Sequence, residues 1–430
     1  VSKGQELSAI LRGRGFQKLY GTRLVSQLSD GVFQAALAAF VFFDPQKETS
    51  PTRAATAFAV LLLPYSLVGP FAGVFIDRWS RRQILLVAPC IRAALTLAIA
   101  ALVAAGNEGP LFYLAALLVL GVNRFFLSAL SAALPHVVGG DQLVLANSLA
   151  TTSGTVIAFV GAGLGYVLRL VFGGGGTGTG IILLWCSGAY VLASAIARLM
   201  GRDQLGPALD QALPETRQAL GGVLRGLLDG ARHVRSRPQA ALALAAISLH
   251  RFLYGIVLIM AALLYRNTFA TSANAGLGGF SVFLTASGAG FLLGALVTPS
   301  VVDRIGKDAW IAGQLACSAG AVLLLGLPFR PAAFVAFGLV LGVVSQGVKL
   351  SVDTILQERV DDVYRGRVFS AYDMLFNATF VGAAAVAAAA LPPSGRSVPV
   401  LLGLAVAYGL AAALYASGIR AVRPVAQTRR

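Results

Sequence analysis

Apolar residues fill this chain in runs of about twenty or more, each closed by a short polar break. Twelve runs stand out, with cores at 19–43, 54–76, 84–105, 111–135, 148–172, 181–200, 239–264, 280–302, 309–327, 332–356, 368–391 and 397–419. A run of that length, coiled as an α-helix, crosses the hydrocarbon core of a bilayer, which is about 30 Å thick. Lipid offers no water to unpaired backbone groups, so the runs predict helices rather than open strands. One polar connection is much longer than the others, residues 201–238, between the sixth and seventh runs. Its stretch ETRQALGGVLRGLLDGARHVRSR spaces leucines and arginines as an amphipathic helix on the membrane surface would. The predicted organisation is a six-helix bundle over 1–200, a linker over 201–238 and a second six-helix bundle over 239–430.

Composition sharpens this reading. Hydrophobic residues make up 57% of the 430 positions and charged residues only 12%, about half the charge of a soluble domain. The net charge of +16 would suggest nucleic acid in a soluble protein, but its placement argues otherwise. If the N-terminus is cytoplasmic, the N-terminal arm, the even-numbered turns, the linker and the tail carry 22 Lys and Arg. The opposite face carries five: Lys47, Arg53, Arg266, Arg330 and Arg396. The positive-inside rule then puts both termini and the linker in the cytoplasm. Lipids, not nucleic acids, are the expected macroscopic partner. Cys90, Cys186 and Cys317 lie singly in separate apolar runs, without metal-ligand spacing. Residues 1–17 are polar and basic and do not read as a cleavable signal. High alanine and arginine content points to a GC-rich bacterium and to its inner membrane.

The densest charge cluster, GVFIDRWSRRQ at residues 73–83, falls between the second and third runs. A shadow of it, VVDRIGK at residues 301–307, falls between the eighth and ninth, so Asp77 and Asp303 are 226 positions apart. Internal repeats of this kind are the mark of transporters built from two related halves. Gly73-x-x-x-Asp77-Arg78-x-x-Arg81-Arg82 resembles the loop signature of the major facilitator superfamily, G-x-x-x-D-R-x-G-R-R, with Ser80 in place of a glycine. Asp303-Arg304-Ile305-Gly306-Lys307 is similar to its second copy, with Pro299 where the leading glycine belongs. Residues 352–377 further resemble a twelve-span efflux subgroup that includes macrolide and siderophore exporters. The resemblance implies an all-α membrane fold of twelve helices in two pseudo-symmetric bundles, transport by alternating access, and a monomer. It implies no bound cofactor, with a proton gradient as the energy source.

By the same resemblance, Asp77 faces the start of the eleventh helix when the cytoplasmic side is closed, since an acid is favoured at a helix N-terminus. Asp303 has the equivalent role near Asn147 and Ser148. Arg78, Arg81 and Arg304 complete this gating set, with a second reading for the arginines as lipid-binding topology anchors. Asp353 and Asp373, in the cytoplasmic half of the tenth and eleventh helices, are candidates for the same gate.

Charges inside the spans are the other candidates, since each costs at least about 2.5 kcal/mol near the bilayer centre. Asp30, the one acid of the first span, suits a proton carrier, because burial disfavours the charged form of a carboxyl group. The alternative is a structural ion pair with a base on the fourth or seventh span. Helices one, four, seven and ten line the central cavity in the family, which implicates Arg124, Arg251 and Lys349; Gln34 and the aromatics Phe33, Tyr254 and Tyr372 join them as candidates. Arg92, on the third span, is expected to snorkel or to pack. His250 can titrate or hydrogen-bond structurally. Lys349 and Asp353 stand i, i+4 and can form an internal pair, as can Asp373 and Asn377. "RFFLS" at Arg124 loosely resembles the family's basic span-four motif. The glycines of the fifth span, Gly154, Gly161, Gly163 and Gly165, permit close packing, but Ala162 and Tyr166 depart from the exporters' pattern.

Three bases against one central acid favour a small amphipathic solute of anionic or zwitterionic character, exported against protons. An importer or facilitator of the same fold and a non-transporting sensor are the alternatives. An enzyme is not expected: GGGGTGTG at residues 173–180 has no lysine for a phosphate loop, and no Ser/His/Asp set is present.

Overall fold

The computed structural model describes residues 3–43, 51–52, 56, 79–107, 109–139, 142–201, 204–205 and 216–427. They form α1 (Lys3–Arg12), α2 (Arg14–Phe43), α3 (Arg81–Ala104), α4 (Pro110–Ala133), α5 (Leu143–Phe172), α6 (Gly176–Arg198), α7 (Thr216–Arg235), α8 (Pro238–Asn267), α9 (Ala273–Ile305), α10 (Lys307–Ala321), α11 (Pro331–Arg359), α12 (Asp362–Ala390) and α13 (Val398–Gln427). Among the described residues, eleven helices are long and apolar enough to cross a membrane. They fall on eleven of the twelve predicted runs; the second run, 54–76, lies outside the described residues, as do Asp77 and Arg78. Large exposed side chains such as Leu324 (75%), Leu296 (74%) and Phe159 (70%) are apolar, which water would penalise and lipid does not.

Local chemistry sets several helix ends. α4, α8 and α11 each open with proline early in the first turn, where its missing N–H costs nothing. α9 ends at Gly306, whose φ of 84° is a left-handed conformation that a side chain resists. Ser80 holds the corresponding place before α3 with φ −53° and ψ 120°. No left-handed residue is needed there, so serine serves where the family signature has glycine.

The chain separates into two compact units, and the division falls inside α7, between Val223 and Leu224. The C-terminal part of the expected linker helix therefore belongs with the second unit. In the first unit α2 packs along α5 and α3 along α6; in the second, α8 packs along α12 and α10 along α13. These are the same partnerships counted from the start of each repeat: first with fifth, third with sixth.

Glycine makes the closest of these contacts. A Cβ on Gly31 of α2 would collide with the carbonyl oxygen of Ala158 on α5, and one on Gly161 with the carbonyl oxygen of Leu28. Gly290 and Gly342 play the same part between α9 and α11, against the carbonyls of Leu339 and Ser287. The glycines of the fifth span thus serve helix contact, with Gly163 facing open space.

Candidate functional site

Each unit contains its own cluster of polar side chains at membrane depth. In the first, α2, α3 and α6 are joined by hydroxyls that donate to carbonyls across the helix gaps: Ser29 to Cys186 (3.1 Å), Ser187 to Ala93 (3.1 Å) and Ser194 to Leu86 (2.8 Å). Inside this seam Asp30 of α2 is ion-paired with Arg92 of α3. Arg92 also donates to Ser26 Oγ (2.9 Å) and Tyr190 Oη (2.8 Å), and Tyr190 donates to Asp30 Oδ1 (3.0 Å). The guanidinium carbon lies 4.0 Å from the centroid of the Tyr190 ring. Arg92 is wholly inaccessible and Asp30 nearly so (5%). Two opposite charges sharing a phenol and a hydroxyl neutralise one another where neither could be solvated.

This revises two expectations. Asp30 does have a basic partner, but on the third span rather than the fourth or seventh. Arg92 neither snorkels nor merely packs; it is the counter-ion. Sequence reasoning set the two on separate grounds, yet the available signal was simple: one acid in the first span and one base in the third, in a medium that tolerates charges chiefly in pairs.

In the second unit, His250 of α8 lies with Nε2 2.8 Å from Ser345 Oγ on α11 and Nδ1 3.2 Å from Tyr408 Oη on α13. Both ring nitrogens are engaged, the structural alternative for this residue. Tyr254, one turn on, shares a hydrogen bond with Ser287 of α9 (2.9 Å). The neighbouring Arg251 lays its guanidinium carbon 4.1 Å from the centroid of Phe376 and 4.7 Å from that of Phe380, both on α12. Among the described residues no carboxylate pairs with it. Lys349, by contrast, is 2.6 Å from Asp353 one turn along α11 and 5.9 Å from the ring centroid of Tyr372. Tyr372 is buried beside them. Aromatic faces attract a cation but leave its N–H donors unused, so Arg251 retains a fork of donors for an anionic group.

The remaining candidates are dispersed. Gln34 and Arg124 are half-buried on α2 and α4, and Phe33 is fully buried. Asp303 and Arg304 are exposed at the end of α9. Asp373 is exposed on α12, its backbone carbonyl accepting from Asn377 Nδ2 (2.8 Å). Among the described residues no cluster of His, Cys, Asp and Glu suits a metal.

Arg81 and Arg82 have a definite local role. Arg82 donates to the carbonyls of Met200 (2.7 Å) and Arg198 (3.0 Å), and Arg81 to that of Leu205 (3.2 Å), with His136 2.6 Å away. Cations at the C-terminal end of α6 satisfy its orphan carbonyls and oppose its dipole. In the second repeat the position matching Arg82 is Asp308, which accepts from Tyr415 Oη on α13 (3.0 Å) and Gln239 Nε2 on α8 (3.1 Å). Lys307, matching Arg81, bonds Glu358 at the end of α11 (2.5 Å). At the position of Arg82 and Asp308 the third helix of each repeat is therefore tied to its sixth, through a cation in the first copy and an anion in the second.

The helical pairings, the repeated loop and the two membrane-depth clusters define a multi-pass membrane transporter. The chain belongs to the Major Facilitator Superfamily, whose model matches residues 19–383. It is similar to uncharacterized MFS-type transporters of Mycobacterium bovis and Mycobacterium tuberculosis, each 38% identical over 397 residues that cover 91% of this chain and 88% of theirs. Among solved structures the fold resembles that of the nucleoside transporter NupG (TM-score 0.66, 15% identity, 94% of this chain and 98% of that one). It also resembles a bacterial homolog of the human lysosomal transporter Spinster in an inward-facing, unoccupied conformation (TM-score 0.63, 14% identity, 98% of each chain).

Proposed function

We propose that this transporter carries a small amphipathic solute bearing an anionic group out of the cell by alternating access, in exchange for protons, with both termini and α7 on the cytoplasmic side of a bacterial inner membrane. The observation that carries the substrate class is Arg251. It is held on two phenylalanine faces with no carboxylate partner among the described residues, whereas Asp30 and Lys349 each have a partner of opposite charge. A bidentate carboxylate or phosphate suits a guanidinium in that setting, and the rings beside it suit the solute's apolar part. Export rests on the likeness of residues 352–377 to twelve-span exporters, and orientation on the distribution of Lys and Arg.

For proton coupling Asp30 has the right chemistry: protonating its carboxyl would free Arg92 and Tyr190 and loosen the seam between α2, α3 and α6. A second reading is favoured by the same geometry. A pair closed within one unit, with Arg92 inaccessible, also serves as a structural tie alone.

The test compares cells expressing wild type, Arg251→Gln and Asp30→Asn at matched abundance, with untargeted mass spectrometry of cells and spent medium. An anionic solute enriched in the medium by wild type and not by Arg251→Gln supports the reading. Enrichment of a cationic solute, or accumulation inside the cells, overturns the substrate class or the direction. Wild-type uphill transport by Asp30→Asn assigns that residue to structure.

A further inference from the structure

α7 presents two unlike faces. One is docked on the second unit: Gly230 lies where a Cβ would be 3.1 Å from the backbone of Arg367, and Gly226 sits over the Arg367 side chain. On the same side Asp229 Oδ2 is 3.9 Å from Arg367 Nη1, and the His233 ring stacks on Tyr364 at 4.2 Å. His233 Nε2 accepts from Arg237 Nε (2.8 Å), and Arg237 is in turn ion-paired with Asp361, the residue preceding α12. Asp361, Tyr364 and Arg367 all lie at the N-terminal end of α12, the helix whose Phe376 and Phe380 hold Arg251.

The other face is turned outward and is apolar where a water-facing helix would be polar. Leu224 (53%) and Leu228 (58%) are exposed, and with Ala231 and Arg235 they follow i, i+4, i+7, i+11 spacing along one stripe. Arg225 and Arg232 are exposed along its flank. Asp229 lies 3.6 Å from Arg232. Leucines bordered by arginines are the composition of a helix lying at a lipid interface, with hydrocarbon below and phosphate beside it.

We propose that this outward face of α7 binds anionic phospholipids of the surrounding membrane. Leu224 and Leu228 enter the acyl region, and Arg225, Arg232 and Arg235 contact the phosphates. The docked face transmits that occupancy to the start of α12, making lipid charge a regulator of the helix that carries the Arg251 aromatic pair. The inference rests on the cytoplasmic-face placement of α7 proposed above, but not on any substrate.

The experiment is hydrogen–deuterium exchange on the full chain in nanodiscs of pure phosphatidylcholine and of an equal mixture with phosphatidylglycerol. Amides of residues 224–235 should exchange at least about fivefold more slowly in the anionic discs, the effect that one arginine near an anionic surface supports. High salt should remove the difference in wild type without any mutation. The triple variant R225Q/R232Q/R235Q should show none, and L224S/L228S should exchange faster in both discs. Residues 361–368 should follow α7. Equal exchange in the two lipids overturns the proposal, as does protection that appears only when a soluble polyanion is added. Protection of α7 with residues 361–368 unmoved overturns the transmission to α12. Because the readout is lipid-dependent exchange, it can succeed where the transport reading fails, and the reverse.

Discussion

Arg92 shows how much a single side chain decides in a medium that cannot solvate it. Its ion pair with Asp30 and its bonds to Ser26 and Tyr190 are sealed inside one unit. Removing either partner strands the other charge, which costs about 3–5 kcal/mol for a buried pair. Asp30→Asn and Arg92→Gln should each lower the melting temperature of the detergent-purified protein, while the double variant should recover most of the loss. Additive losses in that cycle would show that the two do not act as a pair. Arg251 answers to a different test. Its cation–π contacts are worth about 0.5–2 kcal/mol, so Arg251→Lys should remain folded yet bind an anionic solute weakly, because an ammonium cannot form the two parallel bonds that a guanidinium forms. Equal affinity of the lysine variant, measured by calorimetry, would argue against bidentate recognition.

Helices in lipid gain no hydrophobic drive toward one another and depend on close contact instead. The contact between α2 and α5 runs through Gly31 and Gly161, each against a carbonyl oxygen of the other helix. Gly161→Val should therefore push the pair apart at a cost of about 1–3 kcal/mol. Gly163→Val, two residues on and facing open space, should leave the melting temperature unchanged. Similar losses from both would mean that side-chain volume anywhere on α5 is the cause. At the end of α6, Arg82→Gln should cost about 1 kcal/mol, since it leaves the carbonyls of Arg198 and Met200 with a weaker donor at a dipole terminus. Thermal melting against Arg82→Lys, which keeps the charge, separates the dipole contribution from hydrogen-bond geometry.

The two units repeat one plan, first helix against fifth and third against sixth, with loops that close the third onto the sixth in both. Their polar interiors nevertheless differ. The first carries an ion pair closed on itself, and the second a histidine network beside an arginine on aromatic faces. On the function proposed above, the first unit would supply a charge switch and the second a solute contact. Collapsing the proton gradient with an uncoupler should then abolish uphill transport while leaving counterflow exchange partly intact. Equal loss of both would place the proton elsewhere in the cycle.

The twelve apolar runs, the long linker and the two copies of the loop are legible in the order of residues, because a bilayer imposes a length and a polarity on every crossing segment. That alone determines the helices on the eleven described runs and the doubling of the plan. The i, i+4 pairing of Lys349 with Asp353 is equally local and could be anticipated from spacing. What depends on tertiary structure is which charges meet. Asp30 and Arg92 are 62 positions apart, and no periodicity joins them; only the packing of α2, α3 and α6 does. The same holds for His250 with Ser345 and Tyr408, and for the attachment of α7 to α12 through Asp229, His233 and Arg237. Burial is a property of a helix's neighbours, and a neighbour cannot be read from a helix's own sequence. In lipid, where both faces of a span are apolar, the pattern that in water would tell inside from outside is erased.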